Sequence, residues 1–355
     1  MHPYQDLPSR AFWKQAVAQR NAMELADVYV PRFEISRSTR ITAAGSCFAQ
    51  HIGKQFKKRG YRFIDVEPAP VALPEEVHSK FGYGIYSARY GNIYSARQLV
   101  QTFARARGEH TPADEYWTDG ERFYDPYRPS IEPRGFASLD ELRIHRDAHL
   151  RAVDSMLAQT DLFVFTFGLT EAWENTGDGS VYPTCPGTVH GRFDADQHRF
   201  VNFRYGEVLA DFKEFVEYAR SVNPEMRFLV TVSPVPLTAT ASGHHVLSAT
   251  IASKSILRAV CGELYDTYDF LDYFPSYELV SSHPMRALGY EPNLRSVSAA
   301  GVAQVMDVFF TAHGEESAAA APRVAAPAPA QAATAAEPSE DDVVCDEMIL
   351  EAFGR

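Results

Sequence analysis

Cysteine is scarce: the 355 residues hold four, Cys47, Cys185, Cys261 and Cys345, far apart and without a Cys-x-x-Cys pair. That argues against a disulfide framework and a zinc knuckle, and makes a reducing cytoplasm the expected compartment, where a free thiol survives. Long apolar runs are missing too. No stretch approaches the roughly 18 residues of a membrane span. The first twenty residues lack the basic-then-apolar order of a signal peptide, so none is expected. A basic excess is also lacking: 34 Lys and Arg stand against 46 Asp and Glu, for a net charge of −12. Neither nucleic acid nor an anionic membrane surface is therefore an expected partner. No His-Glu-x-x-His and no Gly-x-x-x-x-Gly-Lys is present, so neither a metal nor a cofactor is expected.

Apolar residues make up 45% of the chain and aromatics 12%, enough for a sizeable core. The charge is uneven. Residues 315–355 hold nine acidic and two basic side chains, which leaves the rest of the chain only mildly acidic. Residues 314–342 are rich in Ala, Pro and Glu and read as a disordered linker. The expected domains are a body over 1–313, this linker and a short amphipathic tail over 343–355.

Within the body, apolar runs alternate with amphipathic segments. Arg40–Ala44, Arg62–Val66, Leu162–Phe167, Phe228–Val232 and the neighbourhood of Phe270-Leu271 read as strands. Helices are expected from Ala49 to Lys58, from a Ser138 capping box to about Leu157, through Val208–Ala219, from Val246 to about Leu264, and after Ser298. The fold class is α/β, a three-layer α/β/α sandwich around a central parallel sheet. In such a sheet ligands sit outside the carboxyl ends of the strands. The strands ending at Gly45 and Gly168 should be neighbours, with Cys47 and Thr170 facing one pocket.

A hydroxyl or thiol at the Gly45-Ser46-Cys47 turn lies at the positive end of a helix dipole, which favours a thiolate. Adjacent backbone N–H groups can hold an oxyanion. The same residues also suit plain structural roles, Ser46 as an N-cap and Cys47 as turn packing.

Gly45-Ser46-Cys47-Phe48-Ala49, Phe167-Gly168-Leu169-Thr170-Glu171-Ala172-Trp173, Ser233-Pro234-Val235-Pro236-Leu237-Thr238 and Asp272–Glu278 together resemble the GSCFA family, a branch of the SGNH/GDSL hydrolase superfamily. The resemblance implies the SGNH-like sandwich and ester hydrolysis or O-acyl transfer, on a saccharide or another small-molecule acyl ester. Set on the first SGNH block, Cys47 takes the nucleophile's place; sliding by one residue gives Ser46 instead. Gly84 and Gly91 are candidates for the second block's loop glycine, and Asn92 adds a side-chain donor beside Gly91. Thr170 falls where an oxyanion-hole Asn is usual, and Glu171 follows it to orient a base or bind substrate. The last block departs from the pattern: Asn293 and Ser296 stand where Asp-x-x-His is expected. A replacement base is sought in His245 first, then His283 or His51. Arg128, in Asp125-Pro126-Tyr127-Arg128-Pro129, could meet an anionic substrate or pair locally with Asp125. The alternative reading is a catalytically decayed domain that binds a ligand or a partner.

In the tail, Val344, Met348 and Phe353 can share one helical face, with Asp346, Glu347 and Glu351 on or near the other. The expectation is a short helix that docks on the body or on a protein partner, or else a frayed end.

Overall fold

The computed structural model describes residues 2–25, 27–315 and 346–354. Most of the linker expected over 314–342, and Val344 of the tail, lie outside them. Two compact units are present. One is Ser36–Tyr273 with Val344–Arg355; the other is Met1–Ile35 with Phe274–Val343.

The first unit carries the site. Its chain runs β1 (Ile41–Gly45), α1 (Phe48–Lys58), α2 (Ala96–Ala106), β2 (Trp117–Asp119), β3 (Arg122–Tyr124), α3 (Leu139–Met156), β4 (Leu162–Phe167), β5 (Glu171–Asn175), β6 (Val181–Tyr182), β7 (His198–Asn202), α4 (Tyr205–Val222), β8 (Arg227–Val232), α5 (Val246–Thr267) and β9 (Leu271–Tyr273). The central sheet has the order β1-β4-β8-β9 and is parallel throughout. Helices flank it, so the expected α/β fold is present.

The strands are apolar because the sheet is covered. All six residues of β4 are buried, as a parallel strand between helices requires. Alternation sends Phe163, Phe165 and Phe167 to one face. There they meet Phe215 and Phe212 of α4, with Phe163–Phe215 and Phe167–Phe212 ring centroids both 4.9 Å apart. Helix α4 buries Val208, Phe212, Phe215, Val216 and Ala219, the periodic stripe read from the sequence. Ser138 caps α3 as expected, accepting from the Glu141 amide at 3.1 Å.

Two features differ from the expectation. Arg62–Val66 is not a full strand; it pairs with β1 by the single bridge Ile41–Phe63. The reason is local: the Ala43 amide donates to the Ser87 hydroxyl at 3.0 Å instead of to a strand carbonyl. The second is an antiparallel sheet, β6-β5-β7, that begins at Glu171 where only a turn was expected.

The other unit holds α6 (Ser276–Ser281) and α7 (Ala299–Ala312). Ser298 caps α7 by accepting from the Gly301 amide at 3.1 Å. Tyr29 packs against Phe274 and Phe309 at 5.1 and 6.0 Å. Among the described residues no helix is long and apolar enough to cross a membrane.

Candidate functional site

Gly45 ends β1 opposite Thr166, with a positive φ of 143°. A Cβ there would lie 2.6 Å from the Thr166 carbonyl oxygen, so only glycine fits. The Ser46 amide still donates to that carbonyl at 3.1 Å. The chain then enters α1, with Cys47 as its N-cap. Both side chains are buried, and the Ser46 hydroxyl has no hydrogen-bond partner.

A loop over 86–94 is laced onto this turn. The Ile93 amide donates to the Gly45 carbonyl at 2.9 Å, and Tyr90 Oη donates to the Ala43 carbonyl. At the other end, the Gly168 and Leu169 amides both donate to the Tyr94 carbonyl at 3.0 Å. Gly91 turns the loop with a φ of 69°.

The loop delivers Asn92. Its side-chain oxygen lies 2.6 Å from Tyr86 Oη and accepts from Gln50 Nε2 at 3.2 Å. Two donors on the oxygen fix which way the amide faces, so Nδ2 is the donor presented. Nδ2 donates to a carboxylate oxygen of Asp346 at 2.9 Å. Tyr86 Oη also lies 3.1 Å from the Ser46 carbonyl, which places this amide beside the Ser46–Cys47 turn. Gln98 braces Asn92 from behind, donating to its backbone carbonyl at 2.9 Å.

A hydrogen-bonded pair, His149 and Glu67, holds the same loop. His149 Nδ1 lies 2.6 Å from a Glu67 carboxylate oxygen, and the Arg89 amide donates to that oxygen, also at 2.6 Å. Burial, reinforced by Arg128, pushes His149 down to about 4. Burial alone would raise Glu67, but His149, Arg128 and the Arg89 amide outweigh it and hold the carboxyl at about 2. His149 is therefore neutral, and its N–H donates to an ionised Glu67.

Gly168 follows β4 and lies against Ser46. Helix α5 grips the next residues: Lys254 Nζ donates to the Gly168 carbonyl at 2.7 Å, and Ser253 Oγ accepts from the Thr170 amide at 3.1 Å. Thr170 is fully buried, and its hydroxyl has no partner. Glu171 opens onto a cavity of about 580 Å³, lined also by Tyr94, Gln98, Leu169, Leu237 and Thr240. Burial raises the Glu171 carboxyl above its ordinary range, against a hydrogen bond from Thr240 Oγ1 at 2.8 Å. Cys47 and Thr170 do not line this cavity; Glu171 and Leu169 do.

His245 is the exposed N-cap of α5, its Nδ1 accepting from the Leu247 amide at 3.2 Å. His51 sits on α1 with its ring 5.7 Å from Phe48. His283 belongs to the other unit, stacked on Trp13 at 5.5 Å. Asn293 and Ser296, also in that unit, bond to each other at 3.0 Å. Arg128 is buried and pairs with Asp125 at 3.0 Å, the local pairing considered above. Burial alone would raise Asp125, but Arg128, Arg105 and Arg146 hold it well below the carboxylate range.

The sequence reading missed Tyr86, Gln50, Lys254 and the role of Asp346. For Lys254 a signal existed: a lysine inside the buried stripe Ala249, Ser253, Leu257, Val260 and Leu264 needs an acceptor.

The profile of the GSCFA family matches residues 40–309, and the chain belongs to that family. No curated protein matches the chain.

Proposed function

We propose that this protein is an SGNH-like ester hydrolase or O-acyltransferase whose nucleophile lies in the Ser46–Cys47 turn. The observation that carries the reading is the Asn92 amide. Tyr86 and Gln50 aim its donor, it lies beside the turn, and it meets an acyl-type oxygen, the Asp346 carboxylate. A preorganised donor of this kind stabilises the oxyanion of acyl transfer.

In this reading Cys47 Sγ, at the N-terminus of α1, attacks the acyl carbon. The Sγ–C bond forms, the ester C–O bond breaks, and the thiol's proton passes to the leaving oxygen. The oxygen of water or of an acceptor hydroxyl then bonds to the acyl carbon, the Sγ–C bond breaks, and that oxygen's proton returns to Sγ. The acyl group lies at the Asn92 donor beside the Ser46–Cys47 turn, while the mostly apolar cavity beside Glu171, which Cys47 does not line, takes the rest of the substrate, a saccharide or another small acyl ester, and Glu171 orients the base or the substrate. Ser46 is the second choice of nucleophile.

One observation favours the alternative, a domain that binds a ligand without turnover: the Ser46 hydroxyl has no hydrogen-bonded base. Aryl-ester turnover separates the two readings, measured on the full chain and on Asp346→Ala, each with and without Cys47→Ala. Turnover lost with Cys47 supports the enzyme. Turnover absent from every chain, with saccharide binding retained, supports the binding module.

A further inference from the structure

Asp346–Phe353 forms a 3-10 helix within the unit that carries the site. Its burial runs against its hydropathy. Met348 is 46% exposed and Phe353 64%, whereas Asp346 is 8% exposed. The expected apolar face with Met348 and Phe353 inward is thus not what docks the segment. A 3-10 helix turns every three residues rather than 3.6, so the spacing read for an α-helix does not apply. Indiscriminate apolar collapse would bury Met348 and Phe353 and leave the carboxylate in water. A carboxylate is buried only where donors meet it. Here they are Asn92 Nδ2, at 2.9 Å, and the Ser130 hydroxyl. Further along the segment, Leu350 and Phe353 contribute to the wall of the cavity beside Tyr94, Leu169 and Glu171.

We propose that the niche at Asn92 and Ser130, with the adjoining cavity, is a docking site for an acidic-apolar peptide segment, and that the chain's own Asp346–Phe353 fills it. The Asp346 carboxylate stands where the acyl oxygen of a substrate is held, so tail and substrate exclude one another; this last step rests on the function proposed above. About thirty residues join the tail to the rest of the chain, and a covalent tether of that order keeps a ligand at an effective concentration on the order of millimolar. The docked state is therefore the resting state, and a competing ligand must displace it.

The test uses full-length chains and a fluorescent peptide with the sequence of residues 343–355. The peptide should bind the Asp346→Ala chain and bind the parent at least about tenfold more weakly, because the parent's site is filled in cis. A peptide carrying Asp346→Asn should bind the Asp346→Ala chain markedly less well. Equal binding to both chains, no binding to either, or equal binding of the two peptides overturns the proposal. An acyl probe on the same chains reports separately on the proposed function. Peptide binding without acyl labelling keeps the docking site and removes the acyl-transfer reading. Labelling at equal rates in both chains, with no peptide bound, does the reverse.

Discussion

A Cβ placed on Gly168 would lie 2.8 Å from the Ser46 Cβ and 3.0 Å from the Tyr94 carbonyl oxygen. The β4 turn, the β1 turn and the 86–94 loop therefore meet at a point with no room for a methyl group. Gly168→Ala should destabilise the fold by about 1–3 kcal/mol through overpacking. It should also lower acyl-probe labelling at the Ser46–Cys47 turn. Gly45→Ala should cost more, since its Cβ meets strand backbone and its φ is positive. Urea unfolding and probe labelling check both; a Gly168→Ala chain that matches the parent in both would contradict the packing argument.

The orientation of Asn92 depends on Tyr86. Tyr86→Phe removes the hydroxyl that lies 2.6 Å from Asn92 Oδ1. It should cost about 1 kcal/mol of stability and reduce ester turnover by roughly tenfold. Asn92→Ala removes the donor itself and should reduce turnover by about 10²–10³. The comparison is of kcat at fixed pH. Equal loss of stability with unchanged kcat in both variants would make Asn92 a structural residue only.

Glu171 gives the site a pH dependence. Burial raises its carboxyl above the ordinary 4.5, so the ionised form is lost at a higher pH than for a solvated glutamate. If ionised Glu171 orients the base, turnover should fall on the acid side through this raised value. Glu171→Gln should abolish that limb. Thr240→Val removes the hydrogen bond that favours the carboxylate, and should move the limb to higher pH. A pH profile identical in parent and Glu171→Gln excludes the role.

Glu67 and His149 make the fold acid-sensitive. Both are held below their ordinary values of 4.5 and 6.5, at about 2 and about 4. The unfolded chain therefore binds more protons as pH falls. The His149 contribution is complete above 6.5 and lost towards 4; the Glu67 contribution is complete above 4.5 and lost towards 2. Both contributions have the same sign, so stability falls as pH falls through either window. The urea midpoint should drop steadily across the His149 window. It should be flatter there in His149→Gln, whose stability at neutral pH should be lower. An equally steep drop in the variant would assign the sensitivity to other groups.

What the sequence disclosed followed from periodicity and glycine. The runs Ile41–Gly45 and Leu162–Phe167 read as neighbouring buried strands, and they pair in register from Ile41–Leu162 to Gly45–Thr166. The stripe of α4 read as helical because its five apolar residues face one core. The antiparallel sheet from Glu171 was not legible, because Glu171-Ala172-Trp173-Glu174-Asn175 shows no apolar run. Nor was the burial of Asp346. Hydropathy assigns a carboxylate to water, and the donors that meet it, on Asn92 and Ser130, lie more than two hundred positions away in the sequence. The paired Glu67 and His149, 82 positions apart, were hidden for the same reason.

The most direct measurement is to locate the acyl group. The Asp346→Ala chain is exposed briefly to an activated short-chain ester, quenched in acid, digested and read by mass spectrometry at single-residue level. The account predicts acylation on Cys47, lost in Cys47→Ala and retained in Ser46→Ala, and weaker in Asn92→Ala. Acyl groups spread over surface lysines and absent from both Ser46 and Cys47 would contradict it.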